Sequence, residues 1–297
     1  GFEWGWCAVT GELAFQQGRY AEAETTLLLA LKLAENHPVA TLRHDSFYSR
    51  RAMTLSKLAR VYKRQCKYED AEPLYMERLA IWEKHGPDRG LKGELNLAAA
   101  LSDLAGLYFL QRKYENAEPL YKRSLAMYEK LLGQNHPTLA PALNNQAALC
   151  EKQGKCDDAE LLYKRSLAIR GASQRSVAAG LFKLAQLYDK QEKYETAEPL
   201  YKRSLAMYEK LLGQNHRDLA SVLNHLAAFY HKQRKYGEAE PLYKRCLAIK
   251  EQILPNHPDT ASSLENYSVL LRETERPNEA ERLEARARSI RQNKDKT

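Results

Sequence analysis

Apolar and polar positions along this chain recur with the period of a helix, in paired segments. Leu219, Leu223, Leu226, Ala227 and Tyr230 stand at offsets 0, 4, 7, 8 and 11, which trace one helical face. Ala117, Leu120, Tyr121, Ser124, Leu125, Tyr128 and Leu132 trace another. The pairing predicts helix, short turn, helix. Gly133 reads as the C-terminal stop of a second helix. Pro137 reads as lying near the first position of the next helix, where a missing N–H costs little. Pro119, Pro199 and Pro241 read as marking the first turn of second helices, where a proline ring is tolerated.

The pattern repeats. "KYEDAEPLYMERLA" from Lys67 returns as "KYENAEPLYKRSLA" from Lys113, "KCDDAELLYKRSLA" from Lys155, "KYETAEPLYKRSLA" from Lys193 and "KYGEAEPLYKRCLA" from Lys235. Weaker copies start at Arg19 and Arg276, and successive starts lie 48, 46, 42, 38, 42 and 41 residues apart. Ala117–His136 and Ala197–His216 are identical over all twenty positions. The extra residues of the two longest intervals, Glu35–Phe47 and His85–Glu94, read as polar, Gly- and Pro-containing loops. One hairpin cannot bury both of its apolar faces, whereas a stack can. The fold class expected is all-α, a right-handed α-solenoid spanning 1–297, with repeats at about 1–34, 48–84, 95–133, 137–170, 176–213, 217–254 and 258–293. The first and last copies are atypical, as capping units are, and 294–297 is expected to fray.

The motif Leu-x-x-Leu-Ala-x-x-Tyr at Leu223–Tyr230, followed by Tyr236 and Ala239, resembles the tetratricopeptide repeat. With "LLGQNHP", "LNN" and "AEPLYKR", and a period longer than the usual ~34 residues, it resembles the kinesin-light-chain subtype. The subtype is also similar to expanded arrays of bacterial signalling and scaffold proteins. The heptad segment that joins a light chain to a motor heavy chain is absent, so the resemblance implies a bacterial-type array rather than a motor subunit.

Function is then sought on the first-helix face opposite the buried stripe. A floor column, Arg60, Gly106, Ala148, Gln186, Ala228 and Val269, is mostly small or uncharged. Beside it run Lys57, Asp103, Asn145, Lys183, His225 and Asn266, where the amides can bond a peptide main chain. The resemblance implies that use for Asn145 and Asn266. A third column, Arg64, Leu110, Lys152, Lys190, Lys232 and Glu273, is largely basic, with Lys63, His231 and Arg272 beside it. Such a groove suits an extended acidic or phosphorylated peptide. The resemblance implies an acidic peptide with an aromatic anchor, for which Phe109 and Leu110 could form a pocket. A further column, Ser56, Ser102, Asn144, Phe182, Asn224 and Glu265, holds no Lys, so the carboxylate clamp of chaperone-binding tetratricopeptide domains is not expected, although Asn224 is kept among the groove residues. The pairs Lys122-Arg123, Lys164-Arg165, Lys202-Arg203 and Lys244-Arg245 read as outer-wall side chains paired with a Glu one turn back.

Composition narrows the remaining options. Hydrophobic residues make up 44% and charged residues 28%, and no apolar run approaches a bilayer-spanning length. Five cysteines without a Cys-x-x-Cys pair predict free thiols in a reducing compartment, hence a cytoplasmic location. A net charge of +8 permits acidic partners. Nucleic-acid binding is an alternative weakened by the scarcity of groove-lining aromatics, and a structural spacer or self-associating module is another. No HExxH, P-loop or dinucleotide motif is present, and His136, His216 and His257 recur in one loop position, as a helix cap would. The reading is a non-catalytic chain without cofactor, metal or membrane partner.

Overall fold

A computed structural model describes residues 2–35, 44–253 and 255–294. Its described residues form seven successive helix pairs: α1 (Phe2–Gln16) with α2 (Tyr20–Glu35), α3 (His44–Arg64) with α4 (Tyr68–His85), α5 (Gly90–Leu110) with α6 (Tyr114–Leu132), α7 (Leu139–Lys152) with α8 (Cys156–Ala168), α9 (Gln174–Lys190) with α10 (Tyr194–Leu212), α11 (Arg217–Lys232) with α12 (Tyr236–Ile253), and α13 (Pro258–Glu273) with α14 (Pro277–Lys294). No strand occurs among these residues. The all-α, repeated helix-pair architecture is the one that the periodicity predicts. The chain divides into two compact units, Gly1–Gly171 with α1–α8 and Ala172–Thr297 with α9–α14. Within each, a second helix packs on the first helix of the following pair, as α2 on α3, α4 on α5, α10 on α11 and α12 on α13.

One turn joins the helices of every pair. Lys113 N–H donates to Tyr108 O at 2.8 Å, and the same bond recurs from Lys67 to Tyr62, Lys193 to Tyr188 and Lys235 to Tyr230 at 2.9–3.0 Å. This six-to-one bond closes a Schellman turn, which needs a left-handed residue just before the donor. Glycine supplies it at Gly18 and Gly154, but Cys66, Arg112, Glu192, Arg234 and Glu275 adopt it at φ 58–62°. A β-carbon in this conformation costs about 1–2 kcal/mol, partly offset by the greater unfolded freedom of glycine. Arg112→Gly is therefore expected to raise stability by roughly 0.5–1 kcal/mol. A urea midpoint that falls instead would show that the Arg112 side chain contributes more than its backbone costs.

A buried hydroxyl or thiol then latches four of the pairs. Ser124, Ser166 and Ser204 donate to the carbonyls of Ala98, Ala140 and Ala178 at 2.7–3.0 Å, and Cys246 Sγ stands in at 3.2 Å from Ala220 O. A glutamate links one pair to the next. Glu24 accepts from Gln65 and Lys67, Glu72 from Gln111 and Lys113, Glu118 from Gln153, and Glu240 from Tyr267 and Arg276, at 2.6–3.2 Å. Hydrogen bonds from Lys122 and Gln153 hold the Glu118 carboxyl down at about 2, and those from Lys244 and Arg276 do the same for Glu240. The Lys-Arg pairs divide their work. Each Lys pairs with the Glu one turn back, at 2.6–2.8 Å for Lys122, Lys164, Lys202 and Lys244. Arg123, Arg165 and Arg245 reach the preceding pair instead, at Glu83, Glu129 and Glu209.

Several expectations are corrected. Pro119, Pro199 and Pro241, with Pro73, lie inside their helices, at the sixth helical residue rather than in the first turn. Each ring is exposed, so the helix gives up one backbone hydrogen bond on its wet side. Pro137 precedes α7, whose N-cap is Thr138, whereas Pro258 does occupy the first position of α13. His85–Glu94 is not a loop: a one-turn 3-10 helix covers Pro87–Arg89, and α5 already runs from Gly90. Its glycines serve close approach, since a β-carbon on Gly93 would lie 2.0 Å from Gly86 O. Residues 36–43 of the other long interval lie outside the described residues, as do 295–297 of the tail, while Lys294 still belongs to α14. The recurrent histidines are local caps: His216 and His257 Nδ1 accept from Asp218 and Asp259 N–H at 3.1 Å, and His136 from Thr138 N–H at 3.3 Å.

Candidate peptide-binding face

The first helices carry the groove residues, and each unit presents its own stretch of them. In the first unit Arg60 lies 3.5 Å from Glu12 and stacks over the Phe15 ring at 4.8 Å. Lys57 also pairs with Glu12 and donates to Ala8 O at 3.0 Å. Asp103 is paired with the buried Arg78 of α4. Phe109 packs on Tyr114 at 5.7 Å and against the core of Ala105, Ala117, Tyr121 and Leu149. That ring joins hairpins together, and of the two expected anchor residues Leu110 is the exposed one. Lys63, half-buried, lies 5.7 Å from the centre of the Tyr75 ring, and burial pushes its ammonium below the ordinary lysine value. Arg64 is half-buried at the end of α3. Asn145 and Lys152 of α7 are exposed, with no hydrogen bond or ion pair among the described residues.

In the second unit α9 and α11 bring several predicted residues together. Lys183 Nζ donates to Gln186 Oε1 at 3.1 Å and sits 5.7 Å from the Phe182 ring centre. His225 packs edge-on against the same ring at 5.1 Å, and its Nδ1 lies 2.8 Å from Ser221 O. Lys190 is exposed. Lys232 spans from α11 back to Asp189 at 3.6 Å, with its ammonium over Tyr194 at 5.0 Å. Asn224 is half-buried and its Oδ1 has no donor among the described residues, while Asn266 is half-buried on α13. His231 and Tyr236 both bond Glu273, at 2.9 and 3.0 Å, and Arg272 makes a two-pronged pair with Glu284.

The column reading therefore finds the basic side chains but misses their acidic partners Glu12, Asp189 and Glu284, and it finds Glu273 without its pairing to His231. One signal was available: Asp189 and Lys232 are 43 residues apart, one repeat, so they face each other across adjacent first helices. The aromatic environment of His225 was not predicted either. Burial, and secondarily the charges of Lys183 and Lys250, push its imidazole below the ordinary value of 6.5, against pulls upward from Ser221 O and Asp189. The unfolded chain then takes up this proton at higher pH than the folded one. The contribution is complete above about pH 6.5 and declines as pH falls toward the folded value, by at most about 1.4 kcal/mol per pH unit. Urea midpoints from pH 7.5 to 5 should drop less steeply in His225→Gln than in the parent; equal slopes would assign the acid sensitivity elsewhere.

All five thiols are free, and no described helix is long and apolar enough to cross a membrane. The comparisons with known proteins agree with this geometry. Tetratricopeptide repeat profiles match residues 96–172 and 218–293, then 51–85 and 181–218, then 9–37. None of the curated proteins matches the chain. Among solved structures, BtubC (BKLC) from P. vanneervenii is 23% identical over 74% of this chain and 92% of its own, with a TM-score of 0.63. A Podosopora anserina kinesin light chain with nearly identical TPR-like repeats is 22% identical over 67% and 96%, at 0.54. Aspartyl phosphate phosphatase F from Bacillus subtilis is 16% identical over 98% and 70%, at 0.69. At these identities the likeness is one of fold. The first profile alone spans more than half of the residues, and on that ground the chain belongs to the tetratricopeptide repeat family.

Proposed function

We propose that this chain is a non-catalytic protein-interaction scaffold whose first helices bind an extended acidic peptide. Each unit supplies its own stretch: Lys152 for charge and Asn145 for main-chain hydrogen bonds in the first, Lys190 and Lys232 for charge and Asn266 for main-chain hydrogen bonds in the second. The observation that carries the reading is the exposure of Asn145, Lys152, Lys190 and Lys232 on first helices, in a chain of net charge +8. Lys232 is not a free cation, but its partner Asp189 is 3.6 Å away, and a partly exposed pair of this kind holds at most about 1 kcal/mol. A ligand carboxylate can therefore compete for it.

The test uses a fluorescein-labelled peptide rich in Asp and Glu, titrated by polarisation. Combined Lys152→Glu, Lys190→Glu and Lys232→Glu should weaken binding at least tenfold, equivalent to about 1.4 kcal/mol, while helicity and melting stay nearly unchanged. Equal affinity for the parent and the triple variant would remove this face as the site.

A further inference from the structure

A cleft of about 620 Å³ opens in the second unit where α11, α12 and α13 meet, lined by Ala228, His231, Lys232, Arg234, Tyr236 and Glu273. One anion already sits in it, supplied by the chain itself. His231 Nε2 and Tyr236 Oη both stand against a single oxygen of Glu273, at 2.9 and 3.0 Å. A carboxylate only accepts, so both side chains donate. These two bonds, followed by the charges of His231 and Arg234, hold the Glu273 carboxyl below the ordinary glutamate value. The Glu273 side chain is 47% exposed, so it is free to swing into water when a stronger anion arrives.

Two cations beside this seat are spare or weakly held. Arg234 is exposed and makes no side-chain hydrogen bond or ion pair among the described residues, although its charge is felt at both Glu273 and Tyr236. Lys232 reaches Asp189 at 3.6 Å and is 45% exposed at its side chain. Repeat register shows that the concentration of charge is local. His231, Lys232 and Arg234 correspond to Asp189, Lys190 and Glu192 of the preceding pair, where the signs are mixed. Glu69, Glu115, Asp157 and Glu195 occupy the second position of α4, α6, α8 and α10, and Gly237 replaces them in α12. This turn therefore gathers basic groups and gives up a carboxylate.

We propose that the cleft receives a phosphorylated side chain of the bound peptide, whose phosphomonoester displaces the Glu273 carboxylate. The inference rests on the peptide-binding reading and supplies the chemistry of one position in that peptide. A phosphomonoester carries about −1.5 to −2 charges at pH 7 and three acceptor oxygens. One oxygen replaces that of Glu273 at His231 and Tyr236, and the others meet the Arg234 fork and the Lys232 ammonium. A peptide Asp or Glu gains little here. It brings the same group as Glu273, which is tethered and competes at high effective concentration. The cleft thus selects phosphate over carboxylate.

Two fluorescein-labelled peptides of one Asp- and Glu-rich sequence, with a central serine either free or phosphorylated, test this by polarisation against the full chain. The phosphorylated peptide should bind tighter by about tenfold or more. Arg234→Gln combined with Tyr236→Phe should bring the two affinities together at unchanged helicity. Arg234→Gln alone, at an exposed turn residue, should narrow the ratio too and guards against misfolding of the double variant. Glu273→Gln, which removes the resident anion, should widen it. Equal affinities for the two peptides in the parent would overturn the phosphate seat. So would a phosphate gain that persists in both Arg234 variants. The groove itself is judged separately, by the unphosphorylated peptide and the triple lysine variant, so either reading can fail without the other.

Discussion

Tyr201→Ala should remove about 3–5 kcal/mol from the stability of the second unit, the range for deleting a large ring from a packed core. Tyr201 is 1% exposed on α10. Its ring meets Phe182 of α9 at 6.0 Å and Phe229 of α11 at 5.4 Å. Phe182 in turn holds His225, and Phe229 holds Tyr194 and Tyr230. Truncation thus opens a void between two hairpins. In a repeat protein stability is roughly a sum of hairpin and interface terms, so the loss should appear first as faster amide exchange across α9–α11. Tyr201→Phe keeps the ring and should cost far less. A Tyr201→Ala loss under about 1 kcal/mol would mean that neighbouring rings close the gap.

Gly93→Ala should cost about 3 kcal/mol, the upper part of the range for overpacking. The added carbon would stand 2.0 Å from Gly86 O and 2.8 Å from Gly86 C, both backbone atoms that cannot rotate away. The turn between α4 and α5 would have to shift, and with it the stacking of Arg89 over Trp82 at 5.5 Å. Gly5→Ala provides the contrast: nothing lies within 4 Å of its new carbon, and the residue is inside α1. That change should be neutral or stabilising by up to about 1 kcal/mol. Equal urea midpoints for the two variants would sink the close-approach account.

The fold was legible because a period of about 42 residues repeats every packing residue several times. Tyr121, on the helical face traced from its spacing, and Tyr201, its counterpart in the identical stretch, are both buried. Turn chemistry was less visible. Arg112 and Glu192 occupy left-handed positions that composition would assign to glycine, because the packed helices on either side impose the turn. Gly90 and Gly93 looked like loop material, since a glycine used for close contact and one used for flexibility are the same letter. The candidate face was half legible. Basic side chains on the first helices can be listed from a helical wheel, but neutralisation of Lys232 by Asp189 depends on which helix lies alongside. Phe109 shows the same limit, because its ring packs into the hairpin junction with Tyr114 and the core around Tyr121.

The glutamate that follows the invariant alanine of each second helix has a consequence for how such a chain can change. Glu72 engages the Gln and Lys of the following turn just as Glu24 engages those of its own successor. These hairpins thus carry the same plug on one side and the same socket on the other. A whole period can be copied or deleted by recombination and the new junction still mates, whereas a partial one leaves a carboxylate facing no donor. Array length is on that account an editable property, and two twenty-residue stretches that match letter for letter are what such editing leaves behind.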